Sequence, residues 1–404
     1  MIALEKHYLE GPQDRPRGFI QLFDWFRHEG PNGIHNCLVM ELLGPSLETI
    51  LRANVEMEDF LAPDTILRTS RQLLEAIEFA HQAGFVHGAG DEASDHLHGL
   101  TDTSPGNVAF TCNQAFTDCD EEFTEAEALE EILGKPITAT YIGKELPQTP
   151  HLPQQIVRTA DWRMWYDCPR EDIRILDWGS AFSLSERPTF VSQPDDLRSP
   201  ETIFVGSFDY RHDLWKAGSV IPEQIFTLFY QRWPFYHSWI GHLSNFYIRT
   251  LVEKLGRLPQ AWNAQWDEMV AGEKEREDER NYDREEQLIT DTFEPRRQAI
   301  IQQCEEVDRV YRRDKYTDDD YEGLKCLLRP MVELMQCEPD KRVSLREALS
   351  YIDWVDHRVE MDQAGMDEEE KDELEKDEAE NDEEEKEELE KDKAKMDEAD
   401  SLGE

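Results

Sequence analysis

The sequence predicts an α+β fold, with a small strand-bearing head, a larger and mostly helical body, and a charged tail. Two runs rich in aromatic and β-branched residues, Phe19 to Phe26 and Cys37 to Glu41, flank a turn near the N-terminus. Helix-period apolar patterns then dominate, from Asp64 to Ala80, from Asp213 to Pro234 and from Leu324 to Trp354. From Asp367 the chain repeats with a period of fifteen, DEEEKDELEKDEAEN and then DEEEKEELEKDKAKM.

In chain order, residues 1 to 14 read as a short amphipathic helix with Ile2, Leu4 and Leu9 among charges, ended by Gly11-Pro12. The loop EGPNGIH joins the two strands as a hairpin, because Gly33 tolerates positive φ. Asp64 opens a helix whose Ile66, Leu67, Leu73, Leu74, Ile77 and Ala80 share one face, and Gly84 marks its stop. His81 near its end reads as a cation at a helix C-terminus rather than a ligand. An acidic helix, Glu121 to Leu133, and a stretch around Pro136, Pro147, Pro150 and Pro153 describe a surface-borne insert, whose aromatic end (Tyr141, Trp162, Trp165, Tyr166) packs on the body. The segment LWKAGSVIPEQIFTLFYQRWPF reads as a buried helix ending before Pro234, and Gly272 to Glu286 as an exposed charged segment. In the tail, acid-to-lysine pairs such as Asp367 with Lys371 support a solvated single helix in exchange with disorder; a docking arm for a basic partner is the sharper reading.

Composition bounds the function. The 404 residues, 39% hydrophobic and 10% aromatic, suffice for one large or two modest cores. The net charge is −46; residues 361–404 hold 23 acids against 6 lysines, and the remaining 66 acids against 37 basic residues leave −29 on the first 360. Such a field repels nucleic acid and favours basic partners, with solubility alone as the plainer reading. Seven cysteines without C-x-x-C spacing argue against a disulfide framework or a zinc site, so Cys112 and Cys119 read as thiols. No run of about eighteen apolar residues and no signal-like N-terminus is present, so a monomer of the cytoplasm or nucleus, away from membranes, is expected.

The chemistry-bearing residues come in a fixed order. Phe85 to Phe110 reads FVHGAGDEASDHLHGLTDTSPGNVAF, and without Ala89 to Thr101 it becomes FVHG-DTSPGNVAF, with Asp102 and Asn107 five apart after His87-Gly88. Asp177-Trp178-Gly179 follows in DIRILDWGSAF, then Ser199-Pro200-Glu201, then Asp213-Leu214-Trp215 with Gly218, then Pro339 to Arg342. Together these resemble the protein-kinase signatures H-R-D-x-x-x-x-N, D-F-G, A-P-E, D-x-W-x-x-G and P-x-x-R. With GPNGIHNCLVMELLGPSL, the His-Gly pair and SPGN, the chain resembles the SR-protein-kinase group, especially its fungal branch, over residues 1 to 357.

That resemblance implies a protein-kinase-like fold: a partial N-lobe at residues 1–45 (helix C, two strands, hinge), a C-lobe at 46–357 with a spacer insert at 110–170, and an acidic tail at 358–404. It implies ATP and Mg2+ as cofactors, and serines of basic Arg/Ser-rich proteins as substrate. Asp102 would orient the attacking hydroxyl, and Asn107 and Asp177 would hold magnesium, hard oxygen ligands suiting that ion. Met40 would be the gatekeeper, Glu41 to Leu43 the hinge that meets adenine, and Glu201 with Arg342 a buried ion pair. His87, Gly179 and Asp213 take structural roles.

Departures from the pattern imply impaired catalysis. The glycine-rich loop, the β3 lysine and the helix-C glutamate cannot be placed; Met1 stands at that glutamate's position, as expected of an N-terminal truncation, and Glu5 is a substitute with no upstream lysine to hold. Ser104 replaces the lysine that helps neutralise the γ-phosphate, and Gly88 the arginine that anchors a phosphorylated activation loop. The thirteen residues Ala89 to Thr101 read as translated non-coding sequence, or as a metal site of His96 and His98 beside Asp91 and Asp95. A pseudokinase and an acidic interaction protein are therefore the competing readings.

Overall fold

A computed structural model describes residues 1–12, 16–30, 33–57, 61–88, 105–113, 130, 134–135, 137–138, 155–156, 160, 162, 171–186, 198–230, 247–248, 251–252, 258–271, 323–352 and 354. All lie within one unit, Met1–Trp354. The expected acidic helix (apart from Glu130), the segment Gly272 to Glu286, the inserted residues 89–101 and the tail lie outside the described residues.

Helix α1 (Ile2–Glu10) buries Leu4 in a small cluster with Phe19, Phe79 and Ala80, and stops at Gly11. Tyr8 meets Phe19 and Phe79 edge-on, and Phe19 stacks on Phe79 at 5.5 Å. Strands β1 (Leu22–Gly30) and β2 (Gly33–Met40) form an antiparallel hairpin with Trp25 opposite Leu38. Its turn places Gly33 at φ +114°, a conformation that costs a Cβ-bearing residue dearly. The first strand starts later than its apolar run suggests. Buried Phe19 bridges to Ile175, and the Ile20 amide donates to the Ile175 carbonyl at 3.3 Å, so those two residues join the body. The hairpin then runs on through polar residues to Gly30, and Trp25 and Leu38 remain 51% and 54% exposed.

Helix α2 (Leu47–Met57) is capped by Ser46, whose hydroxyl accepts from the Thr49 amide at 3.2 Å; the sequence reading missed it. Helix α3 (Pro63–Gln82) is the spine of the body. Its start corrects the expected cap: Ala62 is the cap, Pro63 occupies the first helical position, and Asp64 instead accepts from the Trp354 indole at 2.7 Å. Proline fits there because the first-turn amides need no intrahelical acceptor. Ile66, Leu73, Leu74, Ile77 and Ala80 are fully buried, which stabilises by on the order of 10 kcal/mol before entropy is counted.

After α3 come short strands: β3 (Phe85–Val86), β4 (Val108–Phe110), β5 (Ile137–Thr138), β6 (Gln155–Ile156), β7 (Ile173–Ile175) and β8 (Phe182–Ser183). They pair antiparallel as β3 with β8, β4 with β7 and β5 with β6. Helices α4 (Pro200–Phe204), α5 (Arg211–Tyr230), α6 (Asn263–Ala271), α7 (Leu328–Leu334) and α8 (Leu345–Leu349) complete the described body. One core joins α3, β4, β7, α5 and α7 through Leu73, Ile77, Phe110, Ile175, Trp215, Val220 and Met331. Among the described residues no helix is long and apolar enough to cross a membrane.

Candidate active site

The pairing of β4 with β7 sets Val108 opposite Ile175. Register alone therefore brings the residue before β4, Asn107, to the same end as the residues after β7, Leu176 and Asp177. The Leu176 amide donates to the Asn107 carbonyl at 2.8 Å. Asn107 ends a buried 3-10 turn, Pro105–Asn107. Asp177 is exposed and stands at φ +54°, the one non-glycine with positive φ among the described residues. Its Oδ1 accepts from the Gly179 amide at 3.4 Å, and among the described residues no cation pairs with it. Backbone strain of this kind persists where surrounding structure enforces it.

The next residue along, Trp178, supplies that enforcement. Its indole donates to the Ile175 carbonyl at 3.0 Å, and its ring packs at the seam between the main core and the cluster of Leu4, Phe19 and Phe79. His87 meets Trp178 edge-on at 4.7 Å. The buried His87 ring bonds through Nε2 to the Leu176 carbonyl at 2.7 Å, which requires the proton on Nε2. Burial holds its pKa below the usual value, against the opposing pull of Asp213, so the ring is neutral.

Asp213, fully buried on α5, anchors this arrangement. Its carboxylate accepts from the His87 amide at 2.8 Å and the Gly88 amide at 3.3 Å, and pairs with His81 Nε2 at 2.9 Å. Burial alone would raise its pKa, but the hydrogen bond and charge of His81 hold the carboxyl below its ordinary range. His81 is therefore more than a helix-end cation; the sequence reading missed its role because the partner lies 132 residues away.

Gly88 follows from geometry. It stands at φ +73°, and a Cβ there would lie 2.5 Å from the Ser180 carbonyl oxygen. No larger residue fits beside the Asp177–Ser180 turn, which accounts for glycine where an arginine was expected. From below, Lys216 Nζ donates to the Gly88 carbonyl at 3.2 Å.

The segment 41–43 is tied to the body. Glu41 turns its side chain inward, where Oε1 accepts from the Gln21 amide at 2.7 Å and from Arg174 Nε at 3.2 Å, and its amide donates to the Gln21 carbonyl. The Cys112 thiol, pushed up to about 12 by burial and the nearby carboxylates, donates to the Leu42 carbonyl at 3.4 Å. The Gly44 amide reaches the Phe110 carbonyl at 2.8 Å. Among the described residues nothing engages the Glu41 carbonyl or the Leu43 amide, and Met40 is exposed.

Further down, Glu201 and Arg342 meet in a buried two-point ion pair, Nη1 to Oε1 at 2.8 Å and Nη2 to Oε2 at 2.6 Å. Arg342 also donates to the carbonyls of Arg211 and Gln336 and lies over Trp215. Burial works against the Glu201 carboxylate, yet the Arg342 charge keeps its pKa below the usual value. Glu5, expected to have nothing to hold, pairs with Arg17 at 2.5 and 3.0 Å, and the guanidinium lies over Tyr8 and Phe19. Its partner is a downstream arginine.

Thus Asn107, Asp177, His87, Gly179 and Asp213 come together, the hinge segment lies on the other side of β4, and Glu201 with Arg342 forms a separate support. Asp102, Ser104 and the histidines His96 and His98 lie outside the described residues. Among the described residues no cluster of three metal-binding side chains occurs. Two oxygen donors at one strand end, one an exposed carboxylate that no cation pairs with among the described residues, fit a hard divalent ion that keeps several waters.

No family model matches the chain. Curated relatives at low identity do. The chain is 22% identical over 334 residues to human dual specificity protein kinase CLK1, covering 82% of this chain and 52% of that protein. It is 24% identical over 204 residues to serine/threonine-protein kinase AFC1 of Arabidopsis thaliana, 50% of this chain and 33% of that one. It is 25% identical over 230 residues to protein kinase dsk1 of Schizosaccharomyces pombe, 56% and 32%. Its relatives are protein kinases. They imply a protein-kinase-like fold, with which the mostly helical body and few strands are compatible, and they support a kinase-like function. The matched regions span between about one third and one half of these relatives' lengths.

Proposed function

We propose that this chain is a serine/threonine protein-kinase-like phosphotransferase of the SR-protein-kinase type, directed at serines in basic Arg/Ser-rich proteins. The observation that carries the reading is the β4–β7 register, which sets Asn107 and the strained Asp177 at one strand end. ATP would supply the phosphoryl group and Mg2+ would offset its spreading charge. Asn107 and Asp177 would hold the ion, Asp102 would orient the serine hydroxyl, and the Glu41 carbonyl and Leu43 amide suit the edge of adenine. The −29 on the first 360 residues suits arginine-rich substrates. The setting is a monomer in the cytoplasm or nucleus, without direct contact to nucleic acid or membrane.

The rate is reduced, because Ser104 cannot supply the charge of a lysine and Glu5 is taken up by Arg17. The Glu5–Arg17 pair also favours a second reading, a pseudokinase that keeps the body as a binding surface for basic partners. Titrating Mg-ATP against thermal unfolding separates them. At a hundred times the dissociation constant, binding stabilises by about 2.7 kcal/mol, and Asp177→Asn should abolish the magnesium-dependent part. No stabilisation of the wild type refutes the enzyme reading; stabilisation without phosphate transfer to an Arg/Ser peptide supports the pseudokinase.

A further inference from the structure

Lys216 is the buried group for which the candidate active site has no use. It lies on the second turn of α5, 1% exposed, three residues after Asp213 and directly after Trp215 in the core. Sequence reasoning placed it within a buried helix, where a lysine has no reason to be. Burying an ammonium costs several kcal/mol unless it is well bonded. Its Nζ reaches the Gly88 carbonyl at 3.2 Å, while Asp213 on the same helix accepts from the amides of His87 and Gly88. The same helix thus grips the His87–Gly88 peptide units from both polar sides. Gly88 itself can carry no cationic side chain, because a Cβ would strike the Ser180 carbonyl.

We propose that Lys216 is a positioning residue of the proposed phosphoryl-transfer site: reaching up from α5, its amine fixes the His87–Gly88 turn, which packs against the Leu176–Ser180 segment that carries Asp177. Burial depresses the Lys216 pKa well below that of a free lysine, consistent with an amine held by geometry rather than by solvent. The inference rests on the kinase reading for its catalytic consequence, but not for the grip itself.

Two variants of the full chain test it, Lys216→Met and Lys216→Arg. Replacing the buried amine by an apolar side chain of similar length exchanges one hydrogen bond for a smaller desolvation cost, so Lys216→Met should unfold close to wild type. Hydrogen exchange of the His87 and Gly88 amides should nevertheless quicken by about tenfold to a hundredfold, the equivalent of one buried hydrogen bond. In phosphate transfer to an Arg/Ser peptide, kcat should fall by a similar factor with KM for ATP within about twofold, and Lys216→Arg should recover part of both. Wild-type exchange and wild-type kcat in Lys216→Met would overturn the proposal while leaving the kinase reading intact. If wild type itself neither binds Mg-ATP nor transfers phosphate, the kinase reading falls, and the exchange rates alone decide whether Lys216 holds the turn.

Discussion

Glu201→Gln is the most direct probe of what holds the body together. The Glu201 carboxylate meets Arg342 through two bonds of 2.8 and 2.6 Å, and both side chains are buried. The amide keeps one acceptor but removes the negative charge, leaving a guanidinium buried against a neutral group. Breaking such a pair costs about 3–5 kcal/mol. Because Arg342 keeps the carbonyls of Arg211 and Gln336, the lower end applies, about 3 kcal/mol. At about 2–4 °C per kcal/mol for a domain of this class, Tm should fall by roughly 6–12 °C. Urea unfolding of wild type, Glu201→Leu, Arg342→Met and the Glu201→Leu/Arg342→Met double variant forms a cycle, with Glu201→Gln measured beside it. The double variant should be more stable than either single, since the penalty lies in the orphaned charge. The pH dependence has a definite sign: the Glu201 pKa is held low in the folded state, so its contribution is present above the ordinary carboxylate pKa and is lost as pH falls through the folded value. A Glu201→Gln variant within about 1 kcal/mol of wild type, or a double variant that merely sums the singles, would refute the reasoning.

Gly88→Ala should destabilise by at least about 2 kcal/mol, combining the left-handed penalty with the 2.5 Å approach to Ser180, and a thermal melt at wild-type Tm would contradict this. His212 is held neutral, its pKa lowered to about 4 chiefly by burial, with Ser199 Oγ at 2.8 Å from Nδ1. The unfolded chain therefore binds a proton that the folded chain refuses between the ordinary histidine value and about 4, so stability is full at neutral pH and declines through that window. The loss amounts to about 3 kcal/mol, and denaturant midpoints measured from pH 7 to pH 4 should be flatter in His212→Gln.

Much of this was legible locally. The hairpin turn at Gly33, the apolar face from Ile66 to Ala80 and the stops at Gly11 and Gly84 depend on neighbours within a few residues, where periodicity and φ preferences operate. Strand starts were not, because Phe19 and Ile20 look like any β-run until Ile175 draws them into the body. The cap of α3 was misplaced for a related reason: both Pro63 and Asp64 are good helix starters, and the distant Trp354 indole decides what Asp64 does. At the site, the resemblance to kinase motifs pointed to Asn107 and Asp177, whereas His81, Arg17 and Lys216 were passed over. Each acts on a group that only folding brings near, and a histidine or lysine in a helix carries no local sign of that.

Two of those oversights, His81 and Lys216, meet at one location that explains the architecture. The first two turns of α5 bury His212, Asp213 and Lys216, three ionisable side chains where a helix would ordinarily bury aliphatic ones. Each reaches a different segment: Ser199 at the head of α4, His81 on α3 together with the His87 amide, and the Gly88 carbonyl. Arg342 joins the same helix through the Arg211 carbonyl. An apolar α5 would pack as well, so its polar groups are to be understood by what they fix. They set the departure of the chain from β3 and the seat of α4 relative to one helix axis, so that two separate segments gain a common reference. For the proposed phosphotransferase that reference would matter, since misplacement of reacting groups by about 1 Å costs on the order of a hundredfold in rate.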